Sequence, residues 1–232
     1  MMYQRKAALA AGTVLMIMAL AAFFSYGFVW GSLVIEGDKG ATFHNLQASP
    51  GLFRAGIAGW LITLICDIVA AWGLYIFFKP IHWQLSLLGA WLRLVYAGIL
   101  GAAIMNLMFA AALAGKAGGF SSFNLEQLQA LTALFLKNFH LMWSVGLIVF
   151  GGHLLIIGFM AFKTEAVPKV IGILLLIAAA GYTIIHSGYA FLPQFNKAIS
   201  MLEAILSVPM SLGEFSLGIW LLLRGGKLPK SG

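Results

Sequence analysis

Long apolar runs broken by short polar punctuation dominate the chain. Six stretches, 7–35, 54–78, 83–115, 138–162, 170–192 and 203–223, each reach the length of about 20 residues that a membrane-spanning helix needs. Lys79-Pro80 and Val167-Pro168-Lys169 end helices sharply, because proline cannot continue the hydrogen-bond ladder. These connections are tight, whereas those at 36–51 and 116–124 are longer. Asn124 and Gln127 have the spacing of a reciprocal helix cap. Leu125, Leu128, Leu131, Leu134 and Phe135 then recur at helical intervals, which predicts an amphipathic outer segment over 124–136. A helix running unbroken from Asn124 to Phe162 would be about 58 Å long, so it must protrude or bend. Pro209 predicts a kink in the sixth span. The first run is far longer than the core of a cleaved leader and reads as a retained helix. The whole chain, 1–232, reads as one six-helix domain.

Composition narrows the class. Hydrophobic residues make up 62% of the chain and charged residues only 9%. A soluble domain carries about 25% charged residues, so the chain reads as an all-α polytopic membrane bundle in a lipid bilayer. One cysteine, Cys66, rules out an internal disulfide framework and any cysteine-cluster metal site. The net charge of +7 comes from basic residues at the ends of apolar runs, with no stripe to track a nucleic acid. Arg5, Lys6, Lys79, Lys163, Lys169, Arg224, Lys227 and Lys230 fall on the side of the N-terminus. Lys39, Arg54, Lys116, Lys137 and Lys197 fall on the other. Eight against five predicts both termini in the cytoplasm.

Depth singles out four residues. Asp67 lies twelve residues before Lys79, Arg93 eleven after His82, His153 ten before Lys163, and Glu214 ten before Arg224. At 1.5 Å per residue all four lie roughly 15–18 Å from one edge of a hydrocarbon core about 30 Å thick. A charge facing lipid there costs at least about 2.5–3.5 kcal/mol. These side chains are therefore expected to turn inward and meet. Asp67 with Arg93 is the natural pair of a helical hairpin, and His153 with Glu214 the natural second pair. Neutral His153 would leave the cluster at −1 and protonated His153 would balance it, which makes the imidazole a candidate proton-responsive group. Polar strips run outward from this plane. Glu203, Ser207 and Ser211 share a flank of the sixth span, Tyr182 and His186 share one of the fifth, and Arg54, Asn106 and His140 lie further out. Together they predict a crevice open to the outer side and floored by the four-residue cluster.

Blander readings stand beside this one. Buried ion pairs can simply lock helix packing. His140 and His186 sit near the outer interface, where histidine is tolerated. His44 and His82 belong to loops, and Cys66 reads as core. A metal site from His140, His186 and Glu203 lacks any paired-histidine spacing. No phosphate loop, dinucleotide fingerprint or nucleophile elbow occurs, so no metal or cofactor is expected. A division into two inverted halves rests on a short match around Arg93 and Glu214.

Several motifs resemble a known family. They are Gly51-Leu-Phe-Arg-Ala-Gly-Ile, Cys66-Asp-Ile-Val-Ala-Ala-Trp-Gly-Leu-Tyr, Leu92-Arg-Leu-Val-Tyr-Ala, Gly151-Gly-His-Leu-Leu-Ile-Ile-Gly and Gly213-Glu-Phe-Ser-Leu-Gly-Ile-Trp. Together these resemble the bacterial membrane family called domain of unknown function 4386, from about Ala10 to Lys227. The resemblance implies a six-helix protein of the bacterial plasma membrane. It also implies family positions at Arg54, Asp67, Arg93, His153 and Glu214, and it implies no reaction. The leading expectation is a small-molecule binding or transport protein. In that reading Arg93 takes an anionic or polar group, while His153 and Glu214 relay protons. An intramembrane enzyme acting on a lipid or isoprenoid is the second expectation. A structural or regulatory subunit, with no turnover, is the third. No oligomeric state is legible in the chain.

Overall fold

A computed structural model describes residues 2–115 and 123–225 of the chain. Lys116, Lys227 and Lys230 of the charge comparison lie outside the described residues, as does most of the predicted 116–124 connection. The first span is α1 (Met2–Ala22), a π-helical stretch Phe23–Trp30 and a last turn, α2 (Gly31–Leu33). A short helix α3 (Lys39–Ala48) follows, then α4 (Pro50–Phe78), α5 (Trp83–Ala114), α6 (Leu125–Lys163), α7 (Lys169–Phe191) and α8 (Asn196–Arg224). Six of these helical stretches are long and apolar enough to cross a membrane. The protein is an all-α polytopic membrane bundle.

Local chemistry places the ends. Pro50 stands in the first turn of α4, where its missing N–H costs nothing. His82 Nδ1 accepts from the Leu85 N–H at 3.3 Å, so this exposed loop histidine also caps α5. Asn124 and Gln127 cap α6 reciprocally, each bond 2.9 Å long. The 36–51 connection is not plain loop. Asp38 accepts from the Ala41 N–H at 2.8 Å and starts α3, which buries Thr42, Phe43 and Leu46. The outer segment of the fourth span is continuous with it, because no proline falls between Leu125 and Lys163. At 39 residues α6 is about 58 Å long, roughly twice the hydrocarbon core, and α3 packs on it. Pro209 lies inside α8 without ending it.

Neighbours close a ring in the order α1, α4, α5, α6, α7, α8 and back to α1. Large apolar side chains such as Leu20, Ile65, Val170 and Ile205 point outward, as lipid contact allows. Lipid removes the hydrophobic drive for helices to associate, so close packing at small residues carries the load. A methyl on Gly73 would sit 2.9 Å from both the Ala7 carbonyl and the Ala11 methyl, so α4 meets α1 there almost backbone to backbone. Gly12 meets Gly218 in the same way, a methyl there lying 2.8 Å from the Gly218 carbonyl. Arg5 donates to the Leu221 and Leu222 carbonyls at 3.0 and 2.7 Å, capping the end of α8. The start of α1 and the end of α8 therefore share one side of the bundle.

Substituting Gly73→Val should force α1 and α4 apart at a cost of about 1–3 kcal/mol. Thermal unfolding in detergent should show a lowered midpoint, and an unchanged midpoint would contradict the close crossing.

Candidate functional site

Arg93 comes off α5 about a third of the way along, with no exposed surface. A guanidinium has five N–H donors and no acceptor, and all three of its nitrogens find partners. Nε donates to Asp67 Oδ1 on α4 at 2.9 Å. Nη2 lies 2.8 Å from the same oxygen and 3.4 Å from Met18 Sδ on α1. Nη1 donates to Glu214 Oε1 on α8 at 2.9 Å and to His153 Nε2 on α6 at 3.1 Å. The Phe150 ring lies 5.2 Å from the guanidinium carbon. Small residues beside Arg93 on α5 let the neighbouring helices approach, and the Gly89 carbonyl is the partner of His153.

That partner settles the state of His153. Its Nδ1 lies 2.8 Å from the Gly89 carbonyl, which can only accept, so Nδ1 carries the proton. Nε2 faces a group that can only donate, so Nε2 accepts. His153 is the neutral Nδ1–H tautomer with both nitrogens engaged. The structure corrects two expectations. His153 and Glu214 do not pair with one another; both bond Arg93. Nor is Arg93 offered to a ligand, since its donors are consumed and it does not reach the cavity wall. With both carboxylates ionised the cluster carries −1, and the surplus sits on Asp67. Oδ1 holds Arg93, while Oδ2 is fully buried and has no hydrogen-bond partner.

A cavity of about 520 Å³ lies against this cluster. All six spans line it, among them Asp67, Glu214, Tyr182, His186, Ser207 and Ser211. Glu203 lies higher on its wall and accepts from the Tyr189 hydroxyl at 2.6 Å. From the cluster the cavity runs toward the side away from the chain ends. Below it, α1 and α8 touch at Gly12 and Gly218. Above, exposed Phe23 of the π-helical stretch and exposed Ser207 and Ser211 of α8 form its rim.

Three residues expected on the crevice lie elsewhere. Arg54 is exposed near the start of α4. Asn106 turns its amide back to the Ala102 and Ala103 carbonyls and to Met142 Sδ. His140 packs among Tyr26, Trp30, Phe139 and Trp143. It borders a second cavity of about 480 Å³ beside α3. His186 stacks on Tyr182 and lies 3.3 Å from Ser144 Oγ. Cys66 is buried, and His44 is exposed. Residues of the first span escaped the sequence reading, although Met18 of α1 bonds Arg93 and Tyr26 of the π-helical stretch lines the cavity. Within an uncharged apolar run nothing marks one methionine or tyrosine as inward-facing.

The profile of the family described as Domain of unknown function (DUF4386) matches residues 10–225. An uncharacterized protein of Archaeoglobus fulgidus is 28% identical over 187 residues, covering 79% of this chain and 90% of that one. No solved structure matches significantly.

Replacing Arg93 by Gln strands the buried Asp67 and the part-buried Glu214, which costs about 3–5 kcal/mol. Arg93→Gln should therefore unfold at markedly lower temperature in detergent. Adding Asp67→Asn and Glu214→Gln should restore about half of that loss or more. A triple variant as unstable as the single one would locate the effect in side-chain volume, not charge.

Proposed function

We propose, for a chain that belongs to the DUF4386 family, that it binds or transports a small molecule in the cavity above the Arg93 cluster. The observation that carries this reading is Asp67 Oδ2, a buried carboxylate oxygen without a partner on a residue that lines the cavity. Buried polar atoms are satisfied as a rule, and a bound molecule with a donor group would satisfy this one. An enzyme reading would need an acid–base partner for Asp67 or Glu214, and His153 does not supply it, because both its nitrogens are engaged and it is not among the cavity-lining residues. Pocket-facing residues from all six spans suit a site whose access changes as helices move, the arrangement alternating access uses.

The basic residues described near the chain ends, Arg5, Lys6, Lys79, Lys163, Lys169 and Arg224, outnumber Lys39, Arg54, Lys137 and Lys197 opposite. This bias supports cytoplasmic termini, with the cavity reached from outside.

Single cysteines introduced as Ser207→Cys or Ser211→Cys, in a Cys66→Ala background, test both points. A membrane-impermeant thiol reagent added to intact cells should modify them. Ser86→Cys, buried on the side of the chain ends, should stay unmodified. A compound that raises the unfolding midpoint should also slow modification at Ser211→Cys. Cysteines at both rim positions that never react from outside would refute the access.

A further inference from the structure

We propose that the cavity takes an organic monocation, a hydrophobic molecule carrying one ammonium-type charge, seated on Asp67 and Glu214. This rests on the reading of the cavity as a small-molecule site and adds the ligand's chemistry.

Four observations carry it. The cluster is one positive charge short, with Asp67 and Glu214 set against Arg93 alone. Both carboxylates belong to residues that line the cavity, whereas Arg93 does not line it. Asp67 Oδ2 is unpartnered, and 17% of the Glu214 side chain is exposed where it lines the cavity. The described lining holds three carboxylates, Asp67, Glu203 and Glu214, and no lysine or arginine. An anion would therefore meet like charge at the wall beside Glu203 and again at the floor, while a cation is drawn inward. Finally, the walls are aromatic. Trp60, Tyr96, Trp143, Phe150 and Tyr182 all line the space, and ring faces attract cations that have left water.

Size and ligand number separate the occupant from smaller cations. A proton would balance the charge but leave about 520 Å³ of aromatic-walled space without a role. A hard metal ion wants six or more oxygen ligands. Among the described residues no three His, Cys, Asp or Glu side chains gather around one point. A molecule with one charge and an apolar body matches both the floor and the walls.

Tetraphenylphosphonium and tetraphenylborate share a shape and differ in sign, so they isolate charge from bulk. The full chain in nanodiscs of neutral phosphatidylcholine is titrated with each, against empty nanodiscs. The phosphonium should bind saturably and the borate should not. Asp67→Asn should weaken phosphonium binding by about tenfold or more. Glu214→Gln, which keeps an oxygen for Arg93 to bond, should weaken it too and covers the case in which Asp67→Asn fails to fold. Unchanged phosphonium affinity in folded Glu214→Gln would overturn the proposal. Borate binding that protects Ser211→Cys from the thiol reagent would overturn the cation while leaving a small-molecule site. No binding of either probe, with the rim cysteines reactive, would overturn the cation. The same silence with both rim cysteines unreactive would remove the site as well.

Discussion

An arginine in the middle of a membrane bundle has five donors to satisfy and no water to satisfy them. Arg93 solves this by drawing acceptors from four other helices: Asp67 on α4, Met18 on α1, His153 on α6 and Glu214 on α8. Asp67, His153 and Glu214 fix the rotation of their own helices, because an ionisable side chain turned to lipid is costly, by about 2.5 kcal/mol or more for the charged groups. The ring order of the bundle follows. α5 takes Asp67 from its hairpin partner α4 and His153 from its other neighbour α6. Its long side chain reaches across the ring to α1 and α8. α7 is the one span that gives Arg93 no bond, and it is held instead by close packing at Gly151, Gly158 and Gly172.

The same cluster sets where the bundle is solid and where it is hollow. On the side of the chain ends, small residues let α1 press on α4 and α8, and Arg5 closes the join by capping α8. On the other side the first span changes from α to π geometry at Phe23. Such wide turns displace side chains from ordinary helical register and recur at functional sites. Here the change brings Phe23, Tyr26 and Gly27 to the cavity wall. Ser25 is directed toward α4 at Gly59, where only a glycine leaves room for its hydroxyl. The α1–α8 seam is therefore tight below the cluster and forms the rim of the cavity above it.

Fold class and the four deep residues were legible because intramembrane charge is rare and depth can be counted from helix ends. Asp67 and Arg93 stand out by being the lone charges inside their runs. What the sequence could not specify was which acceptor met which donor. Pairing His153 with Glu214 balances charges on paper, but Arg93 has more N–H groups than Asp67 alone can take, and it claims both. Counting donors would have given this answer where counting charges did not. Arg54, Asn106 and His140 were placed on the crevice by depth alone, and depth does not say which way a helix face turns. Asn106 satisfies itself on its own helix, and His140 is absorbed by aromatic neighbours. Met18 and the π-helical stretch had no signal, since apolar runs carry no mark of register.

Asp67 is where a purely structural account falls short. Arg93 uses only Oδ1 of this carboxylate, approached by Nε at 2.9 Å and Nη2 at 2.8 Å. The oxygen of an asparagine amide could accept both contacts from the same position. Glu214 alone would then neutralise the guanidinium, and the cluster would carry no net charge. A device built only to lock six helices would gain by that exchange, because a surplus buried charge and an unpartnered oxygen both raise the energy of the fold. The aspartate instead holds its second oxygen free on a residue that lines the cavity, in a wall whose described residues include no lysine or arginine. The excess is one charge, set at the end of an aromatic-lined path. Packing has no use for that feature, and a positively charged guest does.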